Sequence, residues 1–270
     1  MDKFKISDRL KKVATLINKG GITADIGTDH GYLPVYIIMN NISSKVIAMD
    51  VRKKPLEKAG QNIRQFMVED NIELRLSDGL EKLHRGEADT ITICGMGGKL
   101  MQRIITNGYD VIKEDTQLIL SPQSEIDSFR EFLENSDIRI IDEHMIKEDG
   151  QFYFIMECKK DGGLVHSSYD TQKHNGKNNE NHGNNINSAQ DYRKQAFLRY
   201  GTILLKKKDA NLKQYILKDM YSTEKVYEKI KNLDNKSDGV KNRMKEVESE
   251  LKCIKYALSF YGDSESITAI

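Results

Sequence analysis

The chain has 270 residues, 38% of them apolar and 31% charged, with a formal net charge of +1. Such a composition suits one domain of about 150 to 200 residues plus an appendage, and it argues against a disordered or fibrous chain. No window approaches the ~20 uninterrupted apolar residues of a membrane span, and Met1-Asp2-Lys3-Phe4 opens no export signal, so a cytoplasmic protein without membrane attachment is expected.

Leu10, Val13, Ala14 and Ile17 have helical spacing and predict a helix over 7–18 that stops at Gly20-Gly21. Strand-like and helix-like segments then alternate. Strands are expected at 23–27, 46–50, 72–77, 90–94, 117–121, 138–144 and 152–158, with helices at 32–39, 54–68, 98–106 and 125–135. Alternation of this kind predicts an α/β fold, a largely parallel sheet covered on both faces. The last two strands are joined only by Lys147-Glu148-Asp149-Gly150, which predicts an antiparallel hairpin at one edge.

Residues 161–190 are polar, glycine-dotted and nearly free of large apolar groups, a composition expected of a flexible linker. His166, His174 and His182 fall there, eight residues apart in a polar tract, and make a poor metal set. Beyond the linker the period changes. Ile216, Met220, Thr223, Tyr227 and Ile230 step by three and four, as do Val240, Met244, Val247, Leu251, Ile254, Leu258 and Tyr261. With 234–239 as a turn, this predicts an antiparallel helical hairpin with arms near 23 residues, preceded by a shorter helical piece over 191–208 that breaks at Gly201 and Lys206-Lys207-Lys208. The expected division is therefore 1–160, 161–190 and 191–270. A monomer with the seam closed in cis is expected, and dimerisation through the seam is the alternative.

Charge follows this division. Residues 1–190 carry 25 basic and 29 acidic side chains, whereas 191–262 carry 17 and 10. A mildly acidic body with a basic appendage suits a polyanion gripped beside an active site, as it also suits a solvated lysine-rich helical face.

The first strand runs into Ala24-Asp25-Ile26-Gly27-Thr28-Asp29-His30-Gly31. An acidic residue two before a glycine at a strand end, followed by a helix start, fits a nucleoside ligand. A dinucleotide fingerprint fails, because Asp29 and Tyr32 occupy its second and third glycine positions, and Asp25 and Asp29 would repel a pyrophosphate. The charge favours a cationic or neutral anchoring group, such as the sulfonium and amino groups of S-adenosylmethionine. Asp50, 25 residues after Asp25, ends the second strand where a carboxylate can accept ribose hydroxyls, and Asp78-Gly79 ends the third, where Asp78 can read an adenine edge. Helix capping is the competing role for each carboxylate.

Ile93-Cys94-Gly95-Met96-Gly97-Gly98-Lys99 ends the fourth strand. It is no P-loop, since Ile93 and Leu100 stand where Gly and Ser or Thr are required. A compact glycine turn through Gly97 and Gly98 lets a flat ring approach. Cys94, Cys158 and Cys253 stand far apart without a CxxC, so neither zinc nor any other metal is expected. No serine-hydrolase elbow, zinc-protease helix or hydrolase carboxylate pair occurs.

These residues resemble a known family. Arg9-Leu10 with Val13-Ala14, the Asp25–His30 run with Tyr32-Leu33-Pro34, Gly95-Met96-Gly97-Gly98 and Ser121-Pro122-Gln123 together resemble the bacterial tRNA (adenine-22-N1)-methyltransferases over about residues 5–160. Tyr200-Gly201-Thr202-Ile203-Leu204-Leu205 is similar to a Phe-Gly-Pro-x-Leu-Leu segment of that family, and the Asn-rich tract before it is an insertion. The resemblance implies a class I methyltransferase sheet of Rossmann-like form with seven strands, a C-terminal coiled-coil hairpin, and methylation of a D-arm adenine of tRNA. It implies an S-adenosylmethionine pocket at Asp25, Gly27, His30, Asp50, Asp78, Gly79, Gly95 and Met96. Asp29 is the expected catalytic residue. Arg9, Lys11 and Lys12 are expected to meet phosphates at the rim, Gly97 and Gly98 the target base, and Lys206, Lys207 and Lys208 the tRNA. Alternatives are a methyltransferase for another RNA or heteroaromatic compound, and a non-catalytic scaffold that binds S-adenosylmethionine.

Overall fold

The computed structural model describes residues 5–161, 187–233 and 237–262. The chain divides into two compact units, residues 1–167 and 168–270. The expected tract at 161–190 and its three histidines fall almost wholly outside the described residues.

The first unit begins with α1 (Asp8–Leu16), capped by Ser7, whose hydroxyl accepts the Leu10 N–H at 3.2 Å. There follow β1 (Ile22–Ile26), α2 (Tyr32–Met39), β2 (Lys45–Asp50), α3 (Lys53–Gln65), β3 (Ile72–Leu76), β4 (Thr90–Met96), α4 (Gly98–Asn107), β5 (Gln117–Pro122), α5 (Ile126–Glu134), β6 (Ile138–Glu148) and β7 (Gln151–Lys160). The strands make one sheet in the order β3-β2-β1-β4-β5-β7-β6, with β1 to β5 parallel and β7 antiparallel to both of its neighbours. Successive strand residues point to opposite faces and build two cores. Ile47 and Met49 of β2 join Met101, Ile105 and Phe129 from α4 and α5, while Val46 and Ala48 join Val13, Leu33 and Ala59 from α1, α2 and α3.

The expected elements are all present, with shifted ends whose causes are local. The β6–β7 hairpin turns on Asp149 and Gly150 alone, both with positive φ (48° and 76°). A two-residue turn with two left-handed positions leaves Glu148 free to pair with Gln151 and Lys147 with Phe152, so both strands outrun the expectation. Helix α3 stops at Gln65, short of the expected 68, because Met67 turns left-handed at φ 52°. Strand β4 continues through a bulge at Gly95 to Met96, two residues past its expected end.

The second unit holds α6 (Asn187–Tyr200), α7 (Thr202–Lys207), α8 (Ala210–Lys231) and α9 (Asp238–Ser259). Gly201, at φ 85°, makes the break between α6 and α7. The arms α8 and α9 are antiparallel, since the Tyr261 hydroxyl past the end of α9 donates to the Asp209 carbonyl before the start of α8 at 3.0 Å. Ile216, Met220, Thr223 and Tyr227 are buried with Val247, Leu251, Ile254 and Leu258. Val240 and Met244 remain partly exposed near the turn. Of the expected turn at 234–239, Asp234 to Lys236 lie outside the described residues, and Asp238 and Gly239 already belong to α9. Asp219 ties α8 to α6, accepting from Arg199 at 2.8 Å and from the Tyr200 hydroxyl at 2.5 Å.

One buried ion pair joins α5 to the edge hairpin. Arg130 donates through Nε to Glu143 Oε1 at 2.9 Å, with both side chains almost fully buried, and its guanidinium lies 4.8 Å from the centre of the Phe154 ring. Removing one partner of such a pair strands a charge out of water. Arg130→Met is expected to lower unfolding free energy by about 3–5 kcal/mol in urea titrations, and Arg130→Met/Glu143→Leu to recover most of it. A single-variant loss below about 1 kcal/mol would show that the pair does not carry this joint.

Candidate active site

Strand order reverses between β1 and β4, and a cleft opens at the C-terminal ends of these strands, where open α/β sheets bind ligands. The loop after β1 shapes it. Gly27 and Thr28 both donate their N–H groups to the Met49 carbonyl of β2, at 2.8 and 2.9 Å. This pinning swings the chain away from the sheet through left-handed conformations at Gly27 (φ 74°) and Asp29 (φ 52°). A side chain at Gly27 would be strained by this left-handed φ and would displace the Met96 methyl, whose Cε lies 2.1 Å from where a Cβ would stand. Aspartate is among the few other residue types that adopt this conformation readily. The Asp29 N–H reaches Asp50 Oδ2 at 3.3 Å, and Asn62 Nδ2 donates to the His30 carbonyl at 2.8 Å, which fixes the loop to β2 and α3.

Asp25, Asp50 and Asp78 all line this cleft of about 500 Å³. Asp25 is buried and accepts the Thr92 hydroxyl at 2.7 Å. Burial raises its pKa; the hydroxyls of Thr92 and Thr28 oppose that shift, and the neighbouring Asp50 charge adds to it. Asp50 is 4% exposed, and its Oδ1 accepts the Arg52 N–H at 2.8 Å. The two oxygens of Asp50 thus hold the loop after β1 and the start of α3, with lone pairs left for a ligand. Asp78 is half-exposed and paired with Arg103 of α4 at 3.2 Å.

Gly27, His30, Gly79, Gly95 and Met96 line the same cleft, as does Asp29. Asp29 does not cap α2, whose N-cap is Gly31, and its carboxylate is exposed beside the His30 ring, with Oδ2 at 3.7 Å from Nε2. His30 Nδ1 is buried without a hydrogen-bond partner. Arg9 also lines the cleft, with Nε and Nη1 buried, whereas it was expected at the rim. The cleft lining does not include Lys11 and Lys12; Lys11 instead pairs with Asp8 at 2.6 Å on the surface of α1. Gly97 and Gly98 are likewise outside the lining. Gly98 serves packing, since a Cβ there would stand 2.7 Å from the Glu125 carbonyl oxygen at the start of α5. Lys206 and Lys207 end α7 in the second unit, and Lys208 follows in a left-handed cap.

Sequence reasoning missed Arg52, Ser77, Arg103 and Gln123, which the cleft also gathers. Gln123 stood in the Ser-Pro-Gln run without a role, and Arg103 reaches the cleft only because α4 crosses over Gly79. Cys94 lines the cleft as well, but burial pushes its thiol up to about 12, so it offers no thiolate nucleophile. Away from the cleft, Asp142, His144 and Glu157 meet on the edge hairpin, with His144 Nε2 and Glu157 Oε1 at 2.6 Å. Their ligand atoms lie within 4.8 Å of one another, a grouping that could hold a metal ion and that was not expected from the sequence.

A model for a methyltransferase domain matches residues 6–156. The tRNA (adenine(22)-N(1))-methyltransferase of Bacillus subtilis strain 168 is 30% identical over 255 residues, covering 94% of this chain and 98% of that protein. The chain belongs to that methyltransferase family. The crystal structure of the B. subtilis m1A22 tRNA methyltransferase superposes with a TM-score of 0.76 at 30% identity, covering 95% of this chain and 100% of that one. An uncharacterized protein of Listeria monocytogenes serotype 4b superposes with a TM-score of 0.79 at 27% identity, covering 94% and 100%. The coverage extends past the methyltransferase domain into the helical unit.

The Asp25 environment of this methyltransferase has a measurable sign. A carboxyl whose folded pKa lies above its unfolded value favours folding at low pH, and that contribution is lost as pH rises through the two values. Asp25→Asn is therefore expected to raise the melting temperature of the ligand-free protein at pH 8 and to change it little at pH 4. A lower melting temperature at pH 8 would show that the carboxylate is stabilised rather than strained.

Proposed function

We propose that this protein is an S-adenosylmethionine-dependent methyltransferase that modifies N1 of adenine-22 in the D-arm of tRNA. The observation that carries the proposal is the convergence of Asp25, Asp50 and Asp78 on one cleft beside the left-handed turn at Gly27. The residues present fit the proposed donor. Backbone without a side chain at Gly27, a buried and unpartnered His30 Nδ1 and an excess of carboxylate suit a cationic nucleoside better than a phosphorylated one. Family membership supports the target, since the B. subtilis relative is named for adenine-22.

When bound, S-adenosylmethionine supplies an electrophilic methyl group on a sulfonium. Adenine N1 has an in-plane lone pair and no proton, so the chain need not supply a general base, and positioning dominates. Asp50 is suited to accept the ribose hydroxyls, because both of its oxygens are already oriented by backbone N–H groups. Asp78 takes the adenine edge once Arg103 yields it. Asp25 faces the cation from a buried position, and a positive ligand lowers the cost of keeping it ionised. Asp29 is placed to stabilise the positive charge that develops on the methylated ring, or to accept from the exocyclic amine. N1 lies on the Watson–Crick edge, so the target base must be unpaired or turned out of its stack. The helical unit, with Lys206, Lys207 and Lys208 among its basic residues, takes the role of a separate tRNA grip.

Incubation with labelled S-adenosylmethionine and an unmodified tRNA transcript, followed by nucleoside mapping, tests the reading. The label is expected at position 22 and lost when that adenine is replaced. Transfer to another position would favour a different RNA substrate, and binding without transfer would favour a scaffold. Asp29→Ala is expected to reduce transfer by about 100-fold or more while S-adenosylmethionine affinity stays within about threefold. Calorimetry showing an equal loss of affinity would move Asp29 into the cofactor pocket. Removing residues 191–270 is expected to weaken tRNA binding more than S-adenosylmethionine binding, and tRNA affinity of the whole chain should fall steeply with salt. A salt-insensitive affinity would contradict the proposed grip.

A further inference from the structure

Helix α1 brings to the cleft a cation that no described residue neutralises. The helix is fastened to the end of β6, where Glu148 Oε1 accepts the N–H groups of Asp8 and Arg9 at 2.5 and 3.3 Å. The Arg9 guanidinium is stacked 5.0 Å from the centre of the Tyr153 ring of β7. Its Nε and Nη1 are buried and have no hydrogen-bond partner, and among the described residues no carboxylate makes an ion pair with it. A Cβ on Gly95 would stand 3.9 Å from Arg9 Nη1 and 3.7 Å from Gln123 Nε2, so a cation and an amide donor converge on the β4 bulge. In the strand order this is the opposite end of the cleft from Asp78.

A charge taken out of water without a partner is costly, and arginine keeps its charge when buried. The aromatic stack and the two backbone bonds of α1 nevertheless hold this one in place. A planar guanidinium is the side chain best matched to the paired oxygens of a carboxylate or phosphate. At the other end Asp50 and Asp78 each have an arginine beside them, Arg52 at 3.6 Å and Arg103 at 3.2 Å, whereas Arg9 has no anion paired with it among the described residues.

We propose that Arg9, with Gln123 beside it, is an oxyanion-binding subsite of the cleft. The proposal rests on the methyltransferase reading, whose two ligands each carry a suitable group: the amino-acid carboxylate of the methyl donor and the phosphodiester flanking the target adenine. Arg9 is thus a partly buried determinant of ligand placement, where the sequence alone put it among rim lysines.

Calorimetry on the full chain separates the sources. Wild type, Arg9→Met and Arg9→Lys are titrated with S-adenosylhomocysteine, with 5′-methylthioadenosine, which has the nucleoside but no carboxylate, and with unmodified tRNA. Arg9→Met is expected to weaken an oxyanion-bearing ligand by about tenfold or more, to leave 5′-methylthioadenosine unchanged, and to be partly rescued by Arg9→Lys. Loss confined to S-adenosylhomocysteine identifies the carboxylate as the occupant, and loss confined to tRNA identifies the phosphodiester. Unchanged affinity for both, or an equal loss for 5′-methylthioadenosine, would overturn the subsite. Wild-type protein that bound neither S-adenosylhomocysteine nor tRNA would instead defeat the methyltransferase reading beneath it.

Discussion

Two successive amides, those of Gly27 and Thr28, share one carbonyl, Met49 O, and this shared bond is the constraint from which the cleft follows. It lifts the chain off the sheet where β1 ends and forces the left-handed turn, at which Gly27 lets the Met96 side chain close over the backbone. The next residue of β2, Asp50, then takes the Asp29 N–H, and the Ser77 N–H donates to the Asp50 carbonyl at 3.0 Å. The ends of β1, β2 and β3 are thereby locked together by backbone bonds that need no ligand. A cleft built in this way spends little of its binding energy on ordering itself.

The electrostatics of the cleft are as asymmetric as its walls. Burial of Asp25 beside Asp50 stores an unfavourable interaction that a bound cation relieves. The charge on Arg9, at the β4 and β5 side, calls for the opposite partner. A ligand with a neutral nucleoside, a central cation and an anionic end satisfies the sequence of charges from one wall to the other. A dinucleotide, anionic in its middle, does not.

Periodicity carried most of the fold. The alternation of strands and helices from Thr23 to Cys158 was legible because buried parallel strands are short apolar runs with turn residues between them. Strand ends were less so: Lys147 and Glu148 read as a turn, since nothing in their polarity reveals that Asp149-Gly150 closes the hairpin alone. The acidic strand ends stood out because three successive strands each carry an aspartate at or just past the C-terminal edge. Arg103 and Gln123 escaped notice because their place in the cleft depends on how α4 and α5 cross the sheet, a tertiary fact with no local mark. Gly97 and Gly98 lie outside the cleft lining and Gly98 packs against the start of α5, and a glycine needed for close packing looks the same in sequence as one that admits a ligand.

A crystal structure of the protein with S-adenosylhomocysteine bound tests whether the strand-end carboxylates hold the methyl donor. The ribose hydroxyls are expected on the Asp50 carboxylate, the adenine toward Asp78, and the homocysteine chain running past Gly27 toward the β4 bulge. A ligand lodged elsewhere, or Asp50 and Asp78 both without contact to it, would show that the strand-end carboxylates do not form the donor site.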